Sequence, residues 1–342
     1  MTSTLPIAIF HEHQEWFRPL FAALDARGVP YVRIDARSHQ YDPARHPAEY
    51  SLVFNRMSPS AYRRGNGQGI FYTLGYLAHL ERNGTRVVNG SRAFGFELSK
   101  ATQLSMWTSL GIPFPRTRIV NSPAEAPAAA AALGYPVVVK PNIGGSGAGV
   151  ARYDRAADLE AAAAGGHLDM GLDQTALVQE FIPARGGSIT RVEVLGGKFL
   201  YAIEIFITGE TFNLCPGHIC QTADGAPLER GICPADAPKT GLKVAAAHPP
   251  ADVIATVERI MAAAGIEVGG VEFIVDDRDG RRLYYDVNAL SNYVADAPRV
   301  VGFDAYGRLA DYLIAESRNG QHPSSEENLA RSRATQKAGR AQ

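Results

Sequence analysis

The sequence predicts an α/β protein whose N-terminal part is a doubly wound parallel sheet and whose C-terminal part is antiparallel. Within residues 5–34, two apolar strands flank a helix with bulky apolar side chains at helical spacing, the order typical of a doubly wound sheet. Later in the chain, Gly196-Gly197 and an Asp-rich turn at 276–280 each separate two strands, which indicates antiparallel hairpins. Between these parts lies the glycine-rich segment 144–149, which we expect to form a flexible flap.

The composition is that of a globular protein with little net charge. The 342 residues are 46% hydrophobic and 20% charged, with a formal net charge of −1, which suits two or three domains and argues against a dedicated nucleic-acid binder. The sequence has no run of 18 apolar residues and no signal-peptide pattern, and its three cysteines are unlike a secreted disulfide framework. We therefore expect a cytoplasmic protein without nucleic-acid or membrane partners; whether it forms a homo-oligomer is left open.

Two N-terminal strands end in residues that could face a substrate. Ligands of doubly wound sheets collect at the carboxyl ends of the strands, and His11 and Arg56 occupy such ends. For His11-Glu12-His13 we favour a solvated loop that starts the first helix, with a substrate contact as the alternative. The elements predicted for this part are strands at 5–10, 29–34, 52–56 and 86–89 and helices at 15–26 and 69–81.

A helix and a proline-rich linker lead into a second predicted unit. The helix is predicted at 96–110 and contains Lys100, and the linker follows at 112–117. The elements predicted after it are strands at 118–120, 137–140, 150–153 and 176–181 and helices at 122–133 and 154–164. We expect this unit to be a compact lid that ends at a hinge, Gln179-Glu180-Phe181-Ile182-Pro183.

The loop after Lys140 has the features of a phosphate-binding flap. Gly144, Gly145, Gly147 and Gly149 let the backbone approach a ligand closely and present N–H groups to phosphate oxygens. The segment is not a P-loop, because no Gly-Lys-Ser/Thr follows, and it is not a dinucleotide fingerprint, because Gly-x-Gly-x-x-Gly is unmet. Considered alone, the loop could equally be a plain turn.

The C-terminal part is rich in strands and ends in a polar tail. Its predicted elements are strands at 190–195, 198–207, 268–275 and 282–288 and helices at 252–264 and 305–315. The composition from Ser317 onward predicts a disordered tail. We interpret Cys215, Cys220 and Cys233, near His218, as structural or substrate-loop residues. A soft-metal site is the alternative, although the spacing matches no zinc pattern.

Acidic residues on the last hairpin indicate a metal site. Strand alternation predicts that Tyr284, Asp286 and Asn288 share one face, whereas Tyr285 and Val287 share the other. Glu272 lies on the partner strand. Carboxylate and amide oxygens are hard ligands that suit Mg²⁺ together with nucleotide phosphates, and acids in such apolar strands are costly unless paired or metal-bound. The alternative is a surface hairpin with incidental acids.

In combination, these motifs resemble those of the ATP-grasp superfamily, and within it the RimK-type carboxylate–amine ligases. The resemblance covers about residues 50–315 and depends on the order of lysine, glycine flap, hinge and acid–x–asparagine. It implies an ATP-grasp fold with an N-terminal doubly wound pre-ATP-grasp domain, a central lid and a C-terminal antiparallel-sheet domain. The boundaries that we predict are 1–98, 99–183 and 184–316 for the domains and 317–342 for the tail.

The resemblance also implies roles for individual residues. The residues implied to bind ATP are Lys100, Lys140, Gly144, Gly145, Ser146, Gly147, Gly149, Gln179, Glu180, Phe181, Ile182 and Asn213. Those implied to bind Mg²⁺, with Mn²⁺ as an alternative, are Glu272, Asp286 and Asn288. Arg191 matches a family arginine on the strand after the hinge. Two positions depart from the family pattern: Ile189 replaces the usual ribose-binding acid, and Thr211 replaces an arginine that usually precedes the asparagine.

The chemistry that the resemblance implies is the joining of a small carboxylate to an amine, such as an amino acid or peptide, through an acyl-phosphate. Because the carboxylate and the γ-phosphate are both anionic, we predict that Arg191, Lys140 and Arg56 act in catalysis. His11 and Arg299 are further candidates for substrate contacts. The alternatives are an ATP-grasp small-molecule kinase and a non-catalytic ATP-binding regulatory protein.

Overall fold

The computed structural model describes residues 5–45, 49–145, 147–207, 243–294 and 296–319. Its strands form one parallel and two antiparallel sheets, and helices accompany each of them, which confirms the predicted α/β class. No helix among the described residues is both long enough and apolar enough to cross a membrane. The domain boundaries given above remain predictions.

The parallel sheet is formed by the N-terminal strands. These are β1 (Ile7–His11), β2 (Tyr31–Asp35), β3 (Leu52–Arg56) and β4 (Val87–Val88). They lie in the order β2-β1-β3-β4, and the central strands β1 and β3 are buried along their whole length, as expected for a sheet with both faces covered. His11 and Arg56 are register partners at the carboxyl ends of these two strands.

Two helices and two short 3₁₀ turns accompany this sheet. They are the turns Gln14–Phe17 and Ala61–Arg64 and the helices α1 (Arg18–Asp25) and α2 (Gly67–Arg82). The predicted helix at 15–26 is therefore a 3₁₀ turn followed by an α-helix, whose second residue is Pro19. Proline suits the first turn of a helix because it lacks an N–H that would be unpaired there anyway.

Residues 91–110 form two helices instead of the single predicted helix at 96–110. They are α3 (Ser91–Glu97) and α4 (Lys100–Leu110). Ser99 between them is extended, with φ −143°, and its Oγ accepts a hydrogen bond from the backbone N–H of Thr102 at 3.2 Å. This N-cap ends one helix and begins the next, so that Lys100 is the first residue of α4.

The first antiparallel sheet carries the glycine segment. Its strands are β5 (Thr117–Val120), β6 (Val137–Pro141), β7 (Ala151–Tyr153) and β8 (Ala176–Glu180), and its helices are α5 (Ala126–Leu133), after a 3₁₀ turn at Pro123–Glu125, and α6 (Ala156–Ala164). The strand order is β5-β8-β6-β7, and Ala130, Leu159 and Val178 belong to the apolar cluster that joins these helices to the sheet. The glycine segment is the connection between β6 and β7.

The second antiparallel sheet has five strands. They are β9 (Ser188–Leu195), β10 (Lys198–Phe206), β11 (Val244–Ala247), β12 (Val268–Val275) and β13 (Arg282–Asn288), preceded by a 3₁₀ turn at Arg185–Gly187. They lie in the order β11-β10-β9-β12-β13, with β13 at one edge. The helices of this part are α7 (Ala251–Ala264), α8 (Ala297–Val301) and α9 (Ala305–Asn319). Residues 317–319 therefore belong to a helix and not to the predicted tail, whose remainder lies outside the described residues.

One buried side chain ties the parallel sheet to the five-stranded sheet. Asn89, which has a φ of +55°, donates from Nδ2 to the carbonyls of Val268 (2.6 Å) and Ala289 (2.7 Å). Its Oδ1 accepts from the backbone N–H groups of Glu267 (3.0 Å) and Val268 (3.2 Å). Nearby, Arg86 donates from Nη1 to Glu267 at 2.8 Å. These contacts hold the end of the parallel sheet against the five-stranded sheet.

Candidate active site

A cavity of about 710 Å³ is lined by residues from all three sheets and their connections. Ser58 follows the parallel sheet, Lys140 belongs to the sheet that carries the glycine segment, and Asp286 belongs to the five-stranded sheet. The predicted site residues that line the cavity are Lys100, Lys140, Gly144, Gly145, Gly147, Gln179, Glu180, Phe181, Ile182, Arg191, Glu272, Asp286 and Asn288. The structure thus brings together residues that are up to 188 positions apart in the chain, from Lys100 to Asn288.

The acidic hairpin faces this cavity through a β-bulge. Glu272 on β12 lies directly opposite Asp286 on β13, but Phe273 pairs with Tyr284, so that Tyr285 is an extra residue without a register partner. Such a bulge re-aims the side chains that follow it. Tyr285 and Asp286 both line the cavity, as does Asn288.

The bulge corrects the predicted alternation of this strand. Tyr284 and Val287 are buried together in an apolar cluster that includes Val257 of α7, whereas Tyr285 lies on the cavity side. The prediction that Tyr284 shares a face with Asp286, and Tyr285 with Val287, is therefore wrong. Side-chain alternation with a strict period of two residues does not predict the extra residue of a bulge.

Glu272 is buried, Asp286 is partly buried, and both acids of the hairpin are neutralised by cations. Glu272 Oε1 accepts from Arg191 Nη1 at 2.8 Å and its Oε2 accepts from the Tyr285 hydroxyl at 2.8 Å, while Asp286 Oδ1 lies 3.1 Å from Lys100 Nζ. Burial raises the pKa of Glu272; Arg191 opposes this effect, and the nearby charge of Asp286 adds to it. Two desolvated carboxylates and the Asn288 amide form a set of hard oxygen donors that fits a Mg²⁺ ion sharing nucleotide phosphates.

This donor set is small. The described part of the chain contains no group of three or more His, Cys, Asp or Glu side chains that could hold a metal ion. Because the hairpin supplies Glu272 and Asp286 as its acidic ligands, a cation bound there would need further ligands from a substrate. That is the usual way in which Mg²⁺ is held beside a nucleotide.

Two lysines bring positive charge to the same region. Lys100 Nζ donates to the carbonyl of Gly144 at 3.1 Å in addition to its ion pair with Asp286. Burial opposes the charge on Lys100, but the attraction of Asp286 leaves its pKa raised. Lys140 Nζ donates to the carbonyl of Tyr285 at 3.4 Å, and burial lowers the pKa of Lys140 to about 8. A phosphate group would favour the charged form of Lys140 further, because it supplies a nearby anion.

Arg191 is the most extensively bonded cation of the site. It lies on β9, opposite Glu272 in the register, and is 5% exposed. Its Nε donates to Glu193 Oε1 at 2.6 Å and its Nη2 donates to Ser291 Oγ at 3.2 Å, in addition to the bond with Glu272. The guanidinium is therefore held in one orientation at the cavity wall. Ile189, two residues earlier, is buried and also lines the cavity.

The glycine segment contacts the N-terminal part of the chain. Gly147 and Gly149 have positive φ values of 68° and 76°, and a Cβ at Gly149 would collide with the side chains of Asp169 and Arg63, which form an ion pair. Tyr62, beside Arg63, donates to the carbonyl of Ile143 at 3.2 Å. Gly149 does not itself line the cavity, unlike Gly144, Gly145 and Gly147; Ser146 lies outside the described residues.

The side chains of the predicted hinge brace the linker that enters the same sheet. Glu180 accepts from the backbone N–H of Arg116 at 2.8 Å, and Gln179 Nε2 donates to Thr117 Oγ1 at 2.9 Å. Phe181 stacks beneath the guanidinium of Arg152, 4.0 Å from the ring centre. These contacts hold the hinge residues in the cavity wall.

Three predicted substrate contacts do not line the cavity in the described structure. Arg56 is buried behind the wall, where its Nη2 donates to the carbonyl of Ser291 at 2.5 Å and to Asn292 Oδ1 at 3.1 Å. His11 is buried between aromatic rings, and burial lowers the pKa of His11 to about 4. Arg299 is exposed and pairs with Asp296. Asn213 and the three cysteines lie outside the described residues.

Sequence reasoning missed several polar residues of the site. Tyr285, Glu97 and Asn292 line the cavity, and the Glu97 carboxylate accepts from the backbone N–H of Ala289. Burial raises the pKa of Glu97 to about 7. A usable signal existed for Glu97, since it is the single acid in the apolar run from Ala93 to Leu98.

Comparisons with known proteins identify the class of this fold. No family model matches the chain. The solved structure of a RimK domain ATP-grasp protein from Sphaerobacter thermophilus superposes with a TM-score of 0.63 at 23% identity, covering 90% of this chain and 98% of that one. The fold is therefore the ATP-grasp fold, as predicted.

Two curated relatives specify the family further. A probable alpha-L-glutamate ligase of Thioalkalivibrio sulfidiphilus is 32% identical over 219 residues, covering 60% of this chain and 72% of the relative. A D-alanine–D-alanine ligase of Aromatoleum aromaticum is 30% identical over 209 residues, or 58% of this chain; the match spans 63% of that relative, less than two thirds of its length. The chain belongs to the ATP-grasp superfamily of carboxylate–amine ligases and resembles its RimK-type members.

Proposed function

We propose that the protein uses ATP to form an amide or peptide bond between a carboxylate and an amine, releasing ADP and phosphate. The observation that carries this proposal is the convergence of Lys100, Lys140, Arg191 and the acidic hairpin on one cavity. Both relatives named above are ligases of this kind. Amino-acid carboxylates and amines are accordingly the substrate class that we propose.

In this proposal the nucleotide lies between the glycine flap and the hairpin. Lys100 and Lys140 bind phosphate oxygens, and the backbone of Gly144, Gly145 and Gly147 covers them. Segment 179–182 binds the adenine, because its four residues all line the cavity. Ile189 offers no hydrogen bond to the ribose, so the apolar wall contributes packing alone at that point.

Glu272, Asp286 and Asn288 are the residues that would hold Mg²⁺, which supplies charge neutralisation at the transferring phosphoryl group. These residues need no large rearrangement to do so, since they already share the cavity face. Lys100, which now pairs with Asp286, then becomes available to anionic groups of the substrates.

The chemistry takes place in two balanced steps. A carboxylate oxygen attacks the γ-phosphorus and ADP leaves, which gives an acyl-phosphate; the amine then attacks the acyl carbon, phosphate leaves, and the nitrogen loses a proton. Arg191 stabilises the negative charge that develops on the carboxylate and acyl-phosphate oxygens. The flap excludes water, which would otherwise hydrolyse the acyl-phosphate.

The test is a screen of ADP release with mixtures of amino acids and short peptides, followed by mass analysis of the products. We expect an amide product whose mass equals that of the two substrates minus water. A phosphorylated small molecule would instead indicate the kinase alternative. Nucleotide binding without any turnover across the screen would indicate the regulatory alternative.

Substitution of one proposed metal ligand tests the same site directly. Asp286→Asn keeps the size of the side chain but removes its charge, and we expect ADP release to fall at least about 100-fold because phosphoryl transfer depends on charge neutralisation. The control is Asp277→Asn, at an exposed position in the hairpin turn, which should retain wild-type activity. Unchanged activity in Asp286→Asn would contradict the metal assignment.

A further inference from the structure

We propose that Tyr285 is a positioning residue that fixes the Glu272 carboxylate for a divalent cation, a role that rests on the proposed function. Neither the motif order nor the strand alternation of the sequence indicates this tyrosine. Three features of the structure indicate the role of Tyr285. They are the position of Tyr285 in a β-bulge, its hydrogen bond to Glu272 and its separate backbone contact with Lys140.

The bulge explains why this residue reaches the site at all. In a regular strand, Tyr285 would face away from Asp286. As the extra residue opposite the Glu272–Phe273 step, it lines the same cavity as Asp286 and Asn288. Bulges next to active sites commonly re-aim a side chain in this way.

The hydrogen bond fixes the orientation of the carboxylate. Glu272 has two oxygens, and donors on different strands hold one each: Arg191 of β9 binds Oε1 and Tyr285 of β13 binds Oε2, both at 2.8 Å. A carboxylate that is hydrogen-bonded at both oxygens is restricted to one orientation about its terminal C–C bond. The Tyr285 hydroxyl is the donor in this bond, because an ionised carboxylate can only accept.

The contact with Lys140 allows an effect on metal binding to be distinguished from an effect on nucleotide binding. Lys140 Nζ donates to the backbone carbonyl of Tyr285 at 3.4 Å, and this contact does not use the hydroxyl. Replacing Tyr285 by phenylalanine therefore removes the bond to Glu272 while the lysine keeps its acceptor. The ring, 5.8 Å from Lys140 Nζ, also remains.

The experiment compares Tyr285→Phe with wild type and with Tyr284→Phe as a matched control. Tyr284 is the neighbouring residue, and its ring is buried in the apolar cluster away from the cavity. Equilibrium binding of Mn²⁺ to each protein saturated with ADP is measured by the loss of the free Mn²⁺ electron paramagnetic resonance signal. Binding of ADP alone is measured by calorimetry in EDTA.

We expect Tyr285→Phe to weaken Mn²⁺ binding about 10-fold, the usual effect of removing a group that orients a metal ligand, and to leave ADP binding in EDTA unchanged. Tyr284→Phe should match wild type in both measurements. With an active substrate pair, the apparent KM for Mg²⁺ should rise while the KM for ATP at saturating Mg²⁺ stays within about twofold.

The outcomes distinguish the two proposals. If wild type with ADP binds Mn²⁺ but Tyr285→Phe binds it equally well, the role of Tyr285 is overturned and the metal site stands. The role of Tyr285 would also be overturned if Tyr284→Phe lost Mn²⁺ binding equally, or if Tyr285→Phe also lost ADP binding in EDTA. Either result would show a general structural effect. If wild type with ADP binds no Mn²⁺, the metal site of the proposed function itself is refuted.

Discussion

Two buried charged side chains of the site pair with one another, whereas a buried histidine beside the site has no such partner among the described residues. Arg191 and Glu272 form an ion pair, which offsets the cost of burying each charge in a medium of low polarity. His11 has both ring nitrogens buried between the rings of Phe17 and Phe21, and no described residue hydrogen-bonds to either nitrogen. This histidine is stable there only in its neutral form.

The first prediction concerns the stability of the fold at acidic pH. The pKa of His11 is about 4 in the folded protein against a reference of 6.5, so protonation favours the unfolded chain. The contribution of neutral His11 to the free energy of unfolding is fully present above pH 6.5 and is lost as the pH falls toward 4. Relative to His11→Phe, which keeps an aromatic ring, wild type should lose about 3 kcal/mol of unfolding free energy over this range.

The measurement is urea unfolding of both proteins at several pH values between 4 and 7.5. Carboxylates far from His11 contribute equally to both proteins, so the difference between the proteins reports His11 together with its acidic neighbours Asp35 and Glu12. A difference that does not change with pH would show that the histidine is not held neutral in the fold.

The residue types of the site were predictable, but their orientations were not. Lys140 and Asp286 could be identified because a charged residue in an apolar strand is costly unless it has a partner. Arg56 carried the same signal, yet it supports the 291–292 segment from behind the wall. Sequence shows that a buried charge needs a partner; it does not show whether the partner is a ligand or the protein's own backbone.

At the scale of elements, the edge strand β13 is held by side chains that take the place of a neighbouring strand. Gln103 of α4 donates to the carbonyl of Val287 at 3.0 Å and accepts from its N–H at 3.2 Å. Glu97 of α3 accepts from the N–H of Ala289, and the carbonyl of Pro113 accepts from the N–H of Tyr284 at 3.0 Å. The strand that carries Asp286 and Asn288 is therefore fixed on both edges.

The second prediction tests this arrangement. Gln103→Leu has a similar volume but leaves the backbone N–H and C=O of Val287 buried without these partners, which should lower the free energy of unfolding by roughly 2 to 4 kcal/mol. Denaturant unfolding provides the measurement. The control is Ser105→Ala on the exposed face of the same helix, which should change stability by less than about 0.5 kcal/mol. Equal stability of the two variants would contradict the role given to Gln103.

Regular elements followed from the sequence, and irregular ones did not. Strands β12 and β13 have the predicted limits, because both are apolar runs bounded by clear turn signals. The bulge at Tyr285 and the break at Ser99 were missed, although Ser99 is a recognisable N-cap residue. A bulge depends on the register of two strands, which single-strand periodicity does not contain.

At the scale of the whole molecule, the cavity depends on contacts between parts that are distant in sequence. Asn89 makes four hydrogen bonds to the backbone at 267–268 and 289. These bonds join the parallel sheet to the five-stranded sheet, so we expect the two to unfold in one cooperative transition.

The third prediction removes this tie. Asn89→Gly tolerates the positive φ but lacks the side chain, and we expect it to lower the free energy of unfolding by roughly 2 to 4 kcal/mol while the single transition is kept. The apolar cluster that holds Trp16 also contains Ile203 and Val268 of the five-stranded sheet, so the two sheets stay coupled through their shared core. Denaturant unfolding followed by tryptophan fluorescence is the measurement. Asn83→Gly, whose side chain bonds to His79 of α2, is the control. Equal stability of Asn89→Gly and wild type would contradict the role given to Asn89.

The assembly of the site was predictable only through the order of its motifs. The spacing of Lys100, Lys140, Arg191 and Asp286 in the chain carries no distance information, and their convergence follows from how three sheets meet. The family resemblance supplied that missing information for these residues. It could not do so for Tyr285 or Gln103, which belong to no shared motif.

The ion pair between Arg63 and Asp169 has a consequence for turnover. If the part of the chain that carries both the glycine flap and Asp169 swings aside to exchange nucleotide, these two half-exposed groups separate, and the Tyr62 contact to Ile143 breaks with them. Dissolved ions shield such charges from one another. If ADP release limits the rate, a higher salt concentration should therefore increase the turnover rate. Weaker binding of the anionic nucleotide at high salt would, by itself, decrease the rate.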